Sequence, residues 1–216
     1  MSNTLLFGGS GFFGPVILSK DETIISVGRN KPPKECKNKH IQMDDLNQMH
    51  KLDNVEFDKV IFLIGSSNHH EINQKNNMGI DLNVYPLNIA LSYLSKRNLK
   101  KFICFTTILL YNQKKFQIPV DESQEINPYV NKYVFSKYLS EEIVKFFSKS
   151  VPSIIVRLSN IYGYTRLRRP DLIPTIMQDI FEKDNVKIWN DKPKRDFIFT
   201  EDAADAVGSF YKNKHL

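Results

Sequence analysis

The sequence predicts an α/β protein built on a doubly wound parallel sheet, on three observations. Short β-rich runs alternate with longer stretches whose apolar residues recur at helical spacing. The run at 60–64 is continuously apolar, as strands buried on both faces are. A glycine-rich turn follows the first run directly.

Each element has a local reason. Residues 4–7 read as the first strand, and 23–27 as the second, ending at Gly28-Arg29-Asn30 and a Pro32-Pro33 turn. Residues 41–43 form a short further strand. The runs at 60–64, 102–105 and 154–156 follow, the last starting after Pro152. The helix after the glycines is short, about two turns, with Pro15 at its tolerated first position. Over 83–96, Val84, Leu87, Leu91 and Leu94 recur at spacings of three and four. The longest helical pattern, 129–149, carries Val134, Leu139, Ile143, Val144 and Phe147. Beyond Asn160 the pattern changes. A basic loop with two prolines spans 166–174, a helix 171–183 and a short strand 186–189. Residues 201–212 form a closing helix with acidic residues in its first turn. The expected organisation is a main unit over 1–159, a small lobe over 160–200, and a helix over 201–216 returning to the main unit.

Composition narrows the classes. The chain has 216 residues, enough to bury a core without staples. Hydrophobic residues at 41% and 15 Phe exclude a mainly disordered chain. Two cysteines, Cys36 and Cys104, exclude a disulfide framework or a CxxC metal knuckle and fit a reducing cytoplasm. The longest mostly apolar stretch, 102–111, is short of the roughly 18–20 residues of a membrane span. The N-terminus has no basic region ahead of a long apolar core, so no signal peptide is expected. The net charge is +6, with lysines scattered among Asn and Gln. That reads as a solvated surface with some preference for anionic small molecules, and not as a nucleic-acid or membrane surface.

The glycine turn is the first chemical signal. Gly8-Gly9-Ser10-Gly11-Phe12-Phe13-Gly14 fits G-x-G-x-x-G from Gly9 and G-x-x-G-x-x-G from Gly8. Residues without a Cβ let backbone approach a pyrophosphate, and the next helix offers free N–H groups to its charge. A purely structural turn is the alternative. The end of the second strand reads the adenosine ribose, where an acid suits NAD and an arginine suits NADP. Gly28-Arg29-Asn30 has no acid, so NADP(H) is expected over NAD(H), with Arg29 on the 2′-phosphate.

The second signal is Tyr133-Val134-Phe135-Ser136-Lys137. Positions i and i+4 share one helix face. An ammonium one turn from a phenol favours phenolate, giving a proton donor and acceptor useful near neutrality. The spacing gains weight from the glycine turn and from Thr106-Thr107 at a strand end.

With these motifs the chain resembles the extended short-chain dehydrogenase/reductase family, in particular its NAD(P)-dependent nucleotide-sugar epimerases, dehydratases and reductases. Seven stretches match in order: GGSGFFG at 8–14, Asp45-Leu46, Asn83-Val84, TTILLYN at 106–112, YVFSK at 133–137, RLSNIYG at 157–163 and RDFIFTEDAADAV at 195–207. The resemblance implies a Rossmann-type fold, with 1–159 binding the dinucleotide and 160–200 forming a reduced substrate lobe. It implies that Gly8, Gly11 and Gly14 form the pyrophosphate loop, with Phe12 and Phe13 among the cofactor-binding residues. Asp45 and Leu46 would flank adenine, and Leu63 would pack near the cofactor. Asn83 would hold helix geometry and a water chain behind the site. Tyr133 would be the acid/base, and Lys137 would bind the nicotinamide ribose while tuning it. Thr107 would hold the substrate oxygen. Asn160 and Arg195 would contact the nucleotide diphosphate of the substrate. Family enzymes are often dimers through a four-helix interface including the Tyr–Lys helix, and the sequence permits this homodimer.

Departures from the family sharpen the expectation. Family 4,6-dehydratases carry an Asp-Glu pair after the catalytic Thr; here Ile108 and Leu109 cannot move protons, which leaves epimerase, reductase or dehydrogenase. Ile64-Gly65-Ser66-Ser67 stands where the family often has paired alanines. Family members usually continue well past the 195–207 segment, which implies a reduced pocket, one completed by another subunit, or a shortened form. His69-His70 follow the third strand at a plausible pocket rim, with exposed loop histidines as the favoured reading, and no histidine shows metal-ligand spacing. Arg166, Arg168 and Arg169, with Lys192 and Lys194, read as a solvated loop or phosphate contact. The alternative to an enzyme is a catalytically silent NAD(P)-binding sensor or a subunit of a larger assembly. Retention of Thr107, Tyr133, Lys137 and Asn83 favours the enzyme.

Overall fold

Every strand of the main sheet runs parallel to its neighbours, so each connection must cross one face of the sheet. The computed structural model describes residues 3–115, 118–164, 171–183, 186, 192 and 194–213. β1 (Asn3–Phe7) leads through the glycine turn into α1 (Gly14–Lys20). β2 (Ile25–Gly28) and β3 (His40–Gln42) follow, then a 3-10 segment over Leu46–Leu52 and β4 (Phe57–Phe62). α2 (His69–Gln74) precedes a π-type turn over Ile80–Val84 that runs into α3 (Tyr85–Leu94). β5 (Lys101–Thr107) ends in a 3-10 turn, Ile108–Leu110, before α4 (Lys132–Phe147). β6 (Ser153–Leu158), β7 (Asn160–Tyr162), α5 (Leu172–Glu182), β8 (Phe197–Phe199) and α6 (Thr200–Lys212) complete the chain.

The main sheet has the order β3-β2-β1-β4-β5-β6. The direction of winding reverses between β1 and β4, which opens a crevice beyond the C-terminal strand ends. Strand alternation builds the two faces. Leu5, Phe7, Val60, Phe62 and Phe102 pack with Leu87 and Leu91 of α3 and Val144 of α4. Their neighbours Leu6, Ile61 and Ile103 pack on the opposite face with Ile17 and Leu18 of α1 and Ala203, Ala204 and Val207 of α6. This is the Rossmann-like, doubly wound parallel sheet that the sequence predicts.

Local chemistry explains the boundaries. Thr23 stays outside β2 because its N–H and hydroxyl both donate to Asp21 Oδ1, at 3.0 and 2.6 Å. α4 starts at Lys132 because Asn131 Oδ1 accepts from Val134 N–H at 3.0 Å. The helix expected over 83–96 begins only at Tyr85, after the π-type turn that carries Asn83. β7 and β8 pair parallel with each other, Ile161 opposite Ile198, a pairing the sequence did not reveal. Buried Lys101 donates to Phe210 O and Asn213 O at 2.7 and 3.0 Å, placing a cation at the end of α6. The strand expected over 186–189, Val186 excepted, and Arg166, Arg168 and Arg169 lie outside the described residues. No described helix is long and apolar enough to cross a membrane.

Candidate active site

Sterics close the glycine turn. Gly8 N–H donates to Val27 O at 3.1 Å and Gly11 N–H donates to Gly8 O at 3.0 Å. A Cβ at Gly14 would come within 2.6 Å of both Gly8 O and Gly9 Cα, so only glycine lets α1 start against its own loop. Phe13 precedes α1 and gives it no side-chain cap. The Phe13 ring instead packs edge-on against Phe105, centroids 6.0 Å apart, and fixes the loop to β5.

Beside this loop, β5 ends in Thr106 and Thr107, both buried. Thr107 Oγ1 accepts from Leu109 N–H at 3.2 Å and caps the following 3-10 turn. That bond uses a lone pair and leaves the hydroxyl proton as the group Thr107 can present. Asn73 Oδ1 in α2 accepts from Tyr133 N–H at 3.0 Å, so a second element holds the first turn of α4.

Tyr133 and Lys137 lie one turn apart and line the same cleft as Thr107 and the glycine loop. Desolvation pushes the Lys137 ammonium below the ordinary lysine value, while the nearby Cys104 acts in the opposite sense. Burial pushes the Cys104 thiol up to about 12, with Lys137 opposing it, so this sulfur is no ready nucleophile. Gly65 has φ +152, and a Cβ there would lie 2.8 Å from Asn83 Oδ1 and 3.5 Å from Lys137 Nζ. Glycine at this position admits the Asn83 amide oxygen, which a Cβ would crowd, while Lys137 Nζ would stay at ordinary contact distance.

Asn83 ties the pieces together. Its Oδ1 accepts from Ser66 N–H at 2.7 Å, and its Nδ2 donates to Ser136 Oγ at 3.0 Å. Ser136 Oγ in turn donates to Tyr133 O at 2.8 Å. Asn83 is buried within the π-type turn, a local departure from α geometry of the kind found at functional sites.

The cleft is about 590 Å³ and runs from Gly8, Gly11, Phe12, Phe13 and Gly14 past Leu63 to Thr107, Tyr133 and Lys137. Asn160 and Arg195 also line it. Asn160 Nδ2 donates to Asp196 O at 2.9 Å, joining the strand ends of the small sheet. Arg29, Asp45 and Leu46 are not among the lining residues. Arg29 is exposed, and its carbonyl accepts from Gln42 Nε2 at 2.7 Å. Asp45 Oδ1 accepts from Asn47 N–H at 2.7 Å as a cap, and Leu46 packs against the core. The glycine cradle, which a Cβ at Gly14 would fill, and the open floor at Gly65 fit the pyrophosphate and nicotinamide half of a dinucleotide.

Sequence reasoning missed two features. His69 is exposed and lies at the cleft, the pocket-rim position the sequence allows, but it is not in a loop: it opens α2 and sets its ring 5.7 Å from the Tyr133 ring. Its signal was Asn68-x-x-Glu71, the pattern of a capped helix start; Asn68 Oδ1 accepts from Glu71 N–H at 3.2 Å. The second is an ion pair behind the cleft between buried Glu141 and partly buried Arg157. A carboxylate one turn beyond Lys137 was its only local trace.

The model of the NAD dependent epimerase/dehydratase family matches residues 4–215. Among solved structures, the chain is similar to the UDP-N-acetylglucosamine 4-epimerase of Methanobrevibacter ruminantium M1, in complex with UDP-N-acetylmuramic acid. The TM-score is 0.83 at 19% identity, covering 99% of this chain and 74% of that one. A UDP-glucuronic acid 4-epimerase from Bacillus cereus, in complex with UDP-glucuronic acid and NAD, gives 0.81 at 19% identity, covering 98% and 74%. TunA, an NAD dependent NDP-hexosamine 5,6-dehydratase, gives 0.78 at 20% identity, covering 98% and 72%.

These findings correct the cofactor expectation. NADP(H), with Arg29 on its 2′-phosphate, is overturned: the matching family is NAD dependent, and the Bacillus cereus structure holds NAD. The physical error was to treat a missing acid as a phosphate site. Loss of a carboxylate removes one ribose partner, but a phosphate site needs a cation turned into the cleft. Arg29 does not line it.

Proposed function

This chain belongs to the NAD dependent epimerase/dehydratase family, and from that premise we propose that it performs hydride chemistry on a nucleotide-activated sugar, as an epimerase or oxidoreductase. The reading is supported by one observation above others: Thr107, Tyr133 and Lys137 line the same cleft as the glycine loop. NAD, when bound, supplies a hydride acceptor and donor; the chain's own residues supply placement and proton handling.

In this reading Gly8, Gly11, Phe12, Phe13 and Gly14 hold the pyrophosphate and Leu63 flanks the cofactor. Lys137 holds the nicotinamide ribose, and its charge favours the ionised form of Tyr133. Tyr133 takes the proton from a sugar hydroxyl and returns it after hydride transfer. Thr107 donates its remaining proton to that oxygen and keeps it in line. Asn83 fixes the backbone beneath Tyr133 through Ser136. Asn160 and Arg195 meet the diphosphate of the substrate, and residues 160–200 form its lobe. Ile108 and Leu109 have no proton to give or take at the positions a 4,6-dehydratase uses, so epimerisation or simple oxidoreduction is favoured over dehydration.

The experiment is a two-stage assay on the purified chain. Calorimetric titration measures NAD binding, and NMR then follows a panel of UDP- and other nucleotide sugars for a new epimer or a keto sugar. Interconversion of one panel member, lost in Tyr133→Phe with NAD affinity retained, is the expected result. NAD binding with no turnover across the panel would overturn the enzymatic reading in favour of a silent binding protein.

A further inference from the structure

We propose that Glu141 and Arg157 form a positioning pair that fixes the Thr107 hydroxyl relative to Tyr133 and Lys137. The inference rests on the reading of Thr107, Tyr133 and Lys137 given above and goes beyond it.

Glu141 is 1% exposed, yet it carries a carboxylate with three donors on it. Thr106 Oγ1 donates to Oε1 at 2.7 Å, Arg157 Nε to the same oxygen at 2.9 Å, and an Arg157 terminal nitrogen to Oε2 at 2.8 Å. This is a bidentate Arg–carboxylate fork with an added hydroxyl. The Arg157 guanidinium also lies over the Tyr111 ring, 4.7 Å from its centroid. The hydrogen bonds to Glu141 push the Arg157 pKa up, so the guanidinium keeps its charge.

The placement of these contacts is what matters. The 3-10 turn that Thr107 caps runs Ile108–Leu110. Thr106 lies immediately before Thr107 and is held by Glu141; Tyr111 lies immediately after the turn and sits under Arg157. The segment presenting the Thr107 hydroxyl is therefore pinned at both ends by the two halves of one ion pair. Glu141 itself stands one turn beyond Lys137 on α4, and Lys137 one turn beyond Tyr133. Across the sheet, Arg157 of β6 is the register partner of Thr106 in β5. One pair thus locks α4, β5 and β6 at the level of the reacting groups.

Stability alone does not account for such a device. An ion pair with one fully buried partner gains little over well-packed apolar residues, because desolvation of that partner offsets most of its attraction. What its fork geometry does fix is distance and orientation, and in-line proton transfer is sensitive to both.

Thr106→Val is the decisive variant. It removes one donor, keeps the shape, and leaves Glu141 paired with Arg157, so the fold survives. Thr106→Ser is its rescue, and Arg157→Lys tests the other end. With the nucleotide sugar turned over by the wild type, kcat is expected to fall about tenfold to a hundredfold in Thr106→Val and Arg157→Lys, by the sensitivity of transfer to misplacement. KM and NAD affinity should change less than about twofold, because the misplaced group acts in the transition state and not in ground-state binding. Thr106→Ser should restore kcat. A second readout needs no turnover. In isotope-labelled threonine methyl NMR, the Thr107 signal, assigned by its loss in Thr107→Ser, should shift or broaden in Thr106→Val and Arg157→Lys but not in Thr106→Ser. An unmoved Thr107 signal, or a lowered melting temperature with kcat intact, would overturn the positioning role. Absence of turnover in the wild type would refute the proposed function instead, while the Thr107 signal would still decide this inference.

Discussion

Replacing Gly14 with alanine tests the glycine cradle directly. The new Cβ would sit 2.6 Å from Gly8 O, 2.6 Å from Gly9 Cα and 2.7 Å from Gly9 C. All three are backbone atoms, so no side chain can swing aside. Overpacking of this kind costs about 1–3 kcal/mol, and rigid neighbours put this site at about 3. In a chain of this length each kcal/mol moves the melting temperature by about 2–4 °C, so a fall of about 6–12 °C follows. Gly208 in α6 supplies the internal control, since a Cβ there meets nothing within 4 Å. Gly208→Ala should stabilise by about 0.5–1 kcal/mol through helix propensity and reduced unfolded-state entropy. Differential scanning calorimetry gives both shifts, and titration calorimetry with NAD shows whether Gly14→Ala also loses the cofactor. Equal melting temperatures for Gly14→Ala and wild type, with equal NAD affinity, would refute the claim that the loop and α1 touch through this position.

Other expectations follow from individual groups. Tyr133→Phe should lower kcat by about a hundredfold or more, the usual contribution of a placed acid/base, with NAD binding unchanged in titration calorimetry. His40 is held below the ordinary histidine value by burial first and by the charge of Lys31 second, against a Gly28 backbone hydrogen bond. The unfolded state therefore binds the proton more readily, and stability present above the unfolded value of about 6.5 is lost as pH falls through the folded one. Denaturant melts between neutral and mildly acidic pH should show this slope in wild type and a flatter one in His40→Gln. Lys101→Met would leave the carbonyls of Phe210 and Asn213 without their ammonium donor. A loss of about 1–3 kcal/mol is expected, with hydrogen exchange accelerated first in the last turn of α6.

What was legible in the sequence was what is local. The strands could be read because each is a short apolar run, and Phe102 and Ile103 reach opposite faces by simple alternation. Tyr133 and Lys137 could be paired because four residues is one helical turn. The ion pair could not, since Glu141 meets Arg157 sixteen residues on and Thr106 thirty-five residues back, separations set only by the sheet order. α2 hid for a different reason: among its residues only Ile72 is buried, so no apolar periodicity marks it. The β7–β8 pairing depends on two three-residue strands separated by α5, too short to carry a pattern. Arg29 was misjudged because residue type was legible while the direction of its side chain was not.

The division of labour around α4 explains why one helix carries so much of the site. Tyr133, Lys137 and Glu141 fall at intervals of four and face the strand ends. Ser136 and Ser140 fall at the same interval one position away, and both are buried against the Asn83 turn. Ser140 Oγ lies 3.1 Å from Asn83 O and 2.9 Å from Ser136 O, so its single proton serves two carbonyls. The π-type turn leaves irregular carbonyls that a neighbour must satisfy, and short hydroxyl side chains do this without holding the helices apart. On the outward side Phe135 and Phe146 remain exposed. A valine at 140 would keep the apolar packing but remove the proton and add bulk against the turn. Asn83 would then retreat from Ser136, and the backbone under Tyr133 would lose its tether before any reacting group had been altered.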